Sequence, residues 1–400
     1  MEHFPTDRTI LRRKCDLRRK TVVTIVVVIA LTAFLAWRFL RPMNIFVVSE
    51  AFERPIPVRQ LPASVTSQSA KACAQCHAEV YNEWTTTMHS RAWTEPYFQT
   101  DWKFDDSRQI CKNCHIPLQD QQEHLVTGFR DKDKWDPILE PNPRFDADLQ
   151  HEGVTCNVCH LREGRILGPY GDTRAPHAVT KMEDPNQVCM RCHVVQGKRW
   201  DTFFRMPPCG TVVEIESVGE KINCVQCHMP AVQRPLVAGG QIRAARRHLW
   251  RGGHDPAMVK RALKVEFTEK PIDTGRHRVT DTLTNIGTPH FLPTGTPDRY
   301  LTVTLQVFDA EGKVLKAQEQ TLKRTVMWRP FIVDLWDTRL PYQQPRTYTM
   351  DFDTRGGKAR LAEIVVHYHL LDEARRKRIK YENKEPIFYE IYRESISIKQ

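Results

Sequence analysis

Cys73-Ala-Gln-Cys76-His77, Cys111-Lys-Asn-Cys114-His115, Cys156-Asn-Val-Cys159-His160, Cys189-Met-Arg-Cys192-His193 and Cys224-Val-Gln-Cys227-His228 repeat one five-residue pattern along the chain. Two thiols separated by two residues can add to the two vinyl groups of one porphyrin, and the adjoining imidazole then meets the iron from one side. Given the Cys and His content, chance would yield roughly 0.014 such matches in a chain of this length, so five of them mark c-type haem attachment. Zinc is the competing use of Cys-x-x-Cys pairs. A structural zinc, however, takes four ligands from two pairs and has no need of a His after every pair. Disulfides are disfavoured because cysteines on adjacent turns make poor staples.

The N-terminal region assigns a compartment. Arg8, Arg12, Arg13, Lys14, Arg18, Arg19 and Lys20 precede an uncharged, mainly apolar run from Thr21 to Trp37, which Phe39 and Leu40 extend. That length just spans the hydrocarbon of a bilayer with its ends snorkelling. No small-x-small cleavage site follows, so an uncleaved anchor is expected rather than a removed signal peptide. The basic flank keeps residues 1–20 in the cytoplasm, with 21–40 transmembrane and the remainder exported. The expected location is a bacterial inner membrane, crossed once, with the haems in the periplasm, the side on which c-type attachment occurs. Cys15 and Cys209 lie outside the motifs and are expected to be free thiols.

The formal charge of +11 does not signal nucleic acid. Residues 1–41 hold nine Lys or Arg against three Asp or Glu, a net +6 that leaves +5 for the exported part. Each haem brings two propionates, which cancel most of the rest. Nucleic acid is therefore excluded as a partner.

The pattern divides the chain further. Residues 41–69, with Pro42, Pro55, Pro57 and Pro62, read as a linker. Residues 70–264 form a pentahaem domain of short helices and loops. Its motifs span the 156 residues from Cys73 to His228, or about 31 per haem. That is too few for an ordinary side-chain core, so the porphyrins are expected to be the core. Asp255-Pro256 opens a helix running to Leu263. From 265 to 400 the segments 276–286, 300–309, 314–326, 347–353, 360–370 and 387–398 alternate or are β-branched, which predicts an antiparallel β-sandwich. The expected class is α+β.

Five motif histidines, His77, His115, His160, His193 and His228, leave eleven of sixteen to supply distal ligands. Glu79 to Trp93 reads as helix, and over its twelve residues from His77 a helix rises roughly 18 Å, so His89 is expected to serve a haem other than the first. His177 sits in Arg174-Ala-Pro-His177, and His248 and His254 bracket Arg251-Gly252-Gly253. His290 lies in a turn-rich loop from Asn285 to Gly295. These five are the expected distal ligands, giving bis-histidine irons of low potential. His151 and His124 are the alternatives to His290, whereas His367 and His369 share a strand face and are expected to be structural.

Residues 70–264 resemble the exported multihaem cytochromes of the cytochrome c-554 and hydroxylamine oxidoreductase type. The resemblance rests on the first motif followed by Trp84 and Met88-His89-Ser90, and on Glu152-Gly-Val-Thr-Cys156. It rests equally on Ala175-Pro-His177, on Cys224-Val-Gln-Cys-His-Met-Pro230 and on His248-Leu-Trp-Arg-Gly-Gly-His254-Asp-Pro256. It implies that His89 ligates a later haem, favours His177, His248 and His254, and ranks His290 above His151. Two departures separate the chain from enzymes of this broad class: there is no Cys-x-x-Cys-Lys motif, and hydroxylamine oxidoreductases carry more haems.

The reading that follows is a membrane-anchored periplasmic pentahaem cytochrome c, with five covalent haem c groups and no catalytic residue, passing electrons between redox proteins by outer-sphere transfer. One alternative is an oxidoreductase acting on a small nitrogen or sulfur species at an open haem. A second alternative is a quinol dehydrogenase drawing on the quinone pool. The sequence leaves enzyme activity undecided and favours an electron carrier.

Overall fold

The computed structural model describes residues 7–40, 53–130, 136–171, 174–193, 214–215, 223–327, 333–382 and 385–398. Helix α1 (Asp7–Leu40) contains the stretch Arg18–Trp37, whose mean hydropathy of 2.2 and length suffice to cross a membrane. Its apolar side chains from Val22 to Trp37 are exposed all round, the pattern of a helix whose partner is not this chain.

The motif-bearing part is built from short helices: α2 (Ala70–Ala74), α3 (Ala78–Thr85), α4 (Pro96–Phe104), α5 (Gln109–His115), α6 (Ala147–His151), α7 (Cys156–His160), α8 (Asn186–His193) and α9 (Cys224–His228). Four of the motifs lie wholly or largely within one helical turn, which puts the two thiols, three residues apart, on one side. Caps set several of these turns: the Ser69 hydroxyl accepts from Lys71 N, and the Asn223 side chain accepts from Gln226 N.

The helix expected from Glu79 to Trp93 is shorter than expected. It ends at Thr85, where the hydroxyls of Thr85, Thr86 and Thr87 donate to the carbonyls of Asn82, Glu83 and Trp84 at 2.8, 2.8 and 2.7 Å. Three consecutive threonines offer the backbone carbonyls local donors that compete with the helical ladder. Nor is residues 41–69 free chain throughout. Ile56 and Val58 are buried with Leu118, Val158 and Leu161, and Ile56 exchanges backbone hydrogen bonds with Pro117 and Gln119 at 2.7 and 2.9 Å.

Between these helices run two antiparallel hairpins, β1 (His124–Phe129) with β2 (Pro137–Pro141) and β6 (Ala231–Pro235) with β7 (Ile242–Arg246). A small mixed sheet of β3 (Leu161–Arg162), β4 (Arg165–Gly168) and β5 (Val179–Lys181) follows the third motif. Helix α10 (Pro256–Ala262) is opened by Asp255, which accepts from Met258 N at 2.9 Å, and ends one residue before the expected Leu263.

The C-terminal part forms two antiparallel sheets. One has the order β12-β11-β10-β14-β15, from β10 (Tyr300–Phe308), β11 (Val314–Met327), β12 (Val333–Asp337), β14 (Leu361–His369) and β15 (Phe388–Ser397). The other has the order β13-β9-β8, from β8 (Leu263–Asp273), β9 (Arg276–Asn285) and β13 (Arg346–Asp353). Strands β8 and β12 were not anticipated. Strict alternation buries Leu301, Val303, Leu305 and Val307 of β10, Ile364, Val366 and Tyr368 of β14, and Val279 and Leu283 of β9 in one apolar cluster shared by both sheets. Helix α11 (Glu373–Ile379) then docks this part on α4. Arg375 pairs with Asp101 at 2.5 Å, and the rings of Tyr97 and Tyr381 meet edge-on at 5.6 Å.

One buried charge opposes this core. Asp281 of β9 is fully buried opposite Tyr348 of β13, and neither carboxylate oxygen has a hydrogen-bond partner among the described residues. Burial pushes its carboxyl up to about 7. A carboxyl whose pKa is raised on folding stabilises nothing at high pH: the fold carries no penalty below about pH 4 and the full penalty above about pH 7. Asp281→Asn is therefore expected to raise stability by roughly 2–4 kcal/mol at pH 8 and to change little at pH 3.5, read from denaturant midpoints at the two pH values.

Candidate haem centres

Folding brings imidazoles together in pairs. Ring centres lie 6.5 Å apart for His77 and His177, 6.1 Å for His89 and His193, 6.1 Å for His160 and His248, and 6.5 Å for His228 and His290. Each pair joins one motif histidine to one histidine outside the motifs, and no residue is used twice. An ion held between two opposed imidazoles needs two metal–nitrogen bonds of about 2.0–2.1 Å and two ring radii of about 1.1 Å, which sets the centres roughly 6.3 Å apart. The four pairs have that dimension, so these residues fit an iron between them.

The protonation pattern agrees. Nδ1–H of His77 donates to Leu236 O at 2.8 Å, that of His115 to Ala92 O at 2.7 Å, that of His160 to Leu167 O at 2.7 Å and that of His228 to Arg251 O at 2.6 Å. His248 and His290 donate likewise to Arg246 O and Phe291 O, both at 3.0 Å. A carbonyl can only accept, so in each ring the proton sits on Nδ1 and the Nε2 lone pair is left for a metal. Burial lowers His89 to about 3 and His115, His248 and His290 to about 4, which keeps these rings neutral.

The elements explain how distant residues meet. His89 leaves the turns after α3 and reaches His193 of α8, because the chain around Gly153 lies directly against it. Val154 N donates to His89 O at 2.9 Å, and Trp84 Nε1 donates to Val154 O at 2.9 Å. Gly153 itself has φ +62°, and a Cβ there would lie 2.6 Å from His89 O. His177 follows the loop into β5, and His248 follows β7. His290 is presented by the Asn285 loop, whose amide donates to the carbonyls of Thr288, His290 and Leu340. His151 and His124 meet no motif histidine: both are exposed, and His151 Nδ1 returns to Ala147 O at 2.7 Å. His369 bonds Thr302 at 2.9 Å and stacks on Tyr300.

His115 differs from the other four. Its ring stacks on Phe98 with centres 3.5 Å apart, next to Trp93 and Trp102, and among the described residues no second imidazole is in ring contact with it. His254, expected as a ligand, is in ring contact with no motif histidine. Burial and the nearby Arg299 and Arg91 lower it to about 4.

Thiols of different motifs are also neighbours: Cys73 with Cys156, Cys114 with Cys192, and Cys189 with Cys224. The attachment turns are thus packed against one another. Among the described residues no three His, Cys, Asp or Glu side chains converge as ligands of a bare ion.

Comparison with known proteins agrees with this geometry. Residues 72–136 match the family model described as cytochrome c554 and c-prime. The structure superposes on a penta-heme cytochrome c552 from Thermochromatium tepidum with a TM-score of 0.63 and 22% identity, over 84% of this chain and 100% of that one. The fold is that of a multihaem c-type cytochrome of the c552/c554 type. A putative beta-galactosidase from Bacteroides fragilis also matches, with a TM-score of 0.19 and 11% identity over 34% of this chain and 15% of that one. No curated protein matches the chain. The cytochrome fold carries covalent haem c and is consistent with electron transfer.

Two residues that the sequence reading passed over belong to these centres. Trp250, at φ +41°, sets its ring edge-on to His89 at 4.9 Å and to His248 at 5.2 Å, bridging two centres. Glu83 accepts from the backbone N–H of His248 at 2.8 Å. The only signal for either was position within the His248 and Trp84 motifs. Gly153→Ala is expected to cost on the order of 2–3 kcal/mol, from the left-handed φ together with the overlap at His89 O, read as a lowered denaturant midpoint of the holoprotein.

Proposed function

We propose that this cytochrome carries five haem c groups on the five Cys-x-x-Cys-His turns and passes single electrons between redox partners. Each haem supplies a one-electron ferric/ferrous couple when bound. The observation that carries the reading is the set of four imidazole pairs at 6.1–6.5 Å, the spacing of an iron closed by two ligands. Irons closed in that way exchange electrons and bind no substrate. Residues His77 with His177, His193 with His89, His160 with His248 and His228 with His290 would hold four of the irons, and the Nδ1–carbonyl bonds of His77, His160, His228, His248 and His290 fix the planes of those five rings.

The remaining assignments belong to the same proposal. Residues 21–40 anchor the chain in the bacterial inner membrane, with residues 1–20 cytoplasmic. The pentahaem domain of 70–264 and the β-sandwich of 265–400 lie in the periplasm, tethered through 41–69. The porphyrins form most of the core of 70–264, which is supported by the small apolar cluster of that region beside the C-terminal one among the described residues. Electron donors are a redox protein or the quinone pool.

A second reading is favoured by one observation, the Phe98 ring on His115 and the absence of an imidazole facing it among the described residues. An iron at His115 without a sixth ligand would bind a small nitrogen or sulfur species.

Low-temperature EPR of the oxidised holoprotein, with a haem count, decides between them. Five low-spin haems, one of which turns high-spin in His254→Ala, support the closed carrier. A high-spin fifth in the native protein, shifting with nitrite, hydroxylamine or sulfite and unaffected by His254→Ala, supports the open site. His89→Ala is expected to convert one haem in five to high-spin while all five stay attached. Unchanged spin populations would remove His89 from the ligands.

A further inference from the structure

The Glu83 carboxylate, 11% exposed, receives four hydrogen bonds from elements distant in sequence. Oε1 accepts from Arg234 Nη1 at 2.9 Å and from Arg247 Nε at 2.8 Å. Oε2 accepts from Arg234 Nη2 at 2.9 Å and from the backbone N–H of His248 at 2.8 Å. Arg234 is itself 10% exposed, and its Nη2 also donates to Arg246 O at 3.0 Å, the same carbonyl that receives Nδ1–H of His248. A fork-on-fork guanidinium–carboxylate pair is rigid, and charge-assisted bonds are roughly twice as strong as neutral ones.

This cluster joins two centres. On one side it fixes both the backbone N–H of His248 and the carbonyl that orients the His248 ring. On the other, Arg234 lies on β6, two residues before Leu236, whose carbonyl orients His77. Glu83 itself lies on α3, the helix that begins directly after His77.

We propose that Glu83 is a positioning residue that sets the axial imidazoles of two haems, His248 opposite His160 and His77 opposite His177. Through its charge it also lowers the potential of the His160 haem. This rests on the reading of His77 and His248 as iron ligands. An anion near an iron favours the ferric state, and a cation favours the ferrous state. Glu83 and Arg247 therefore act with opposite sign on the same centre. Arg247 is half-exposed, so its effect is the smaller of the two.

The test is spectropotentiometry with EPR on holoprotein carrying Glu83→Gln, Glu83→Asp, Arg247→Gln or His248→Ala. Glu83→Gln is expected to raise the midpoint potential of one low-spin haem and to move the g-values of two, leaving the others unchanged. Arg247→Gln is expected to lower the same potential by a smaller shift, and Glu83→Asp to restore the sign of the charge effect but not the native g-values. A purely structural carboxylate would give equal disturbance in both Glu83 variants and no opposite shift in Arg247→Gln, which overturns the proposal. If Glu83→Gln fails to assemble, the sign of the Arg247→Gln shift decides alone: a fall supports the proposal, and no shift or a rise rejects it. His248→Ala separates the two failures. If it leaves every haem low-spin, the ligand reading itself is wrong; if it opens one haem while the Glu83 and Arg247 variants move nothing, only the positioning role falls.

Discussion

The distance between two opposed imidazoles is the constraint on which the rest of this structure depends. An iron tolerates little error in that gap, whereas the residues that span it here come from elements far apart in the chain: a turn after α3 with α8, a loop before β5 with the first motif, a residue after β7 with the third, and a loop between strands with the fifth. Holding such pairs demands that loops be fixed as firmly as helices. The chain does this with backbone carbonyls that take the Nδ1 proton, with the contact of Gly153 on His89, and with the carboxylate and amide groups of Glu83 and Asn285. Polar groups thus do the work that an apolar core does in the C-terminal sheets.

The same economy explains the contrast between the two parts of the molecule. In the sheets, alternation buries a continuous apolar face and tolerates long loops at its edges. In the motif region the described apolar cluster is small, and its members come partly from the segment before the first motif, Ile56 and Val58. That segment is a strap across the chain at the second and third attachment turns rather than slack before the first motif.

Much of this was legible in the sequence, and the reasons for what was not are local. The attachment turns were readable because covalent chemistry fixes their spacing, and most strands because alternation is a one-dimensional signal. Strand β8 escaped because Lys264, Glu266 and Lys270 on its exposed face are residues that strands disfavour. The reach of His89 was anticipated from a long helix that does not exist. Three threonine hydroxyls end that helix at Thr85, and the reach is achieved by turns. Which histidine faces which was beyond one-dimensional reading, because pairing is a property of loops meeting across the fold. The ring of Phe98 on His115 carried no sequence signature at all.

The loop that carries His290 has a consequence for the order of assembly. Synthesis delivers the chain from its N-terminus, so in every imidazole pair one member is available well before the other. His193 follows His89, His177 follows His77, and His248 follows His160. His290 is the last of all, and it comes from beyond the boundary at which the haem motifs stop. The histidine that faces the fifth attachment turn is therefore the last of the paired histidines to be made, and it is supplied by the C-terminal part of the chain. The set of paired histidines is thus completed only within the C-terminal sheets, between β9 and β10.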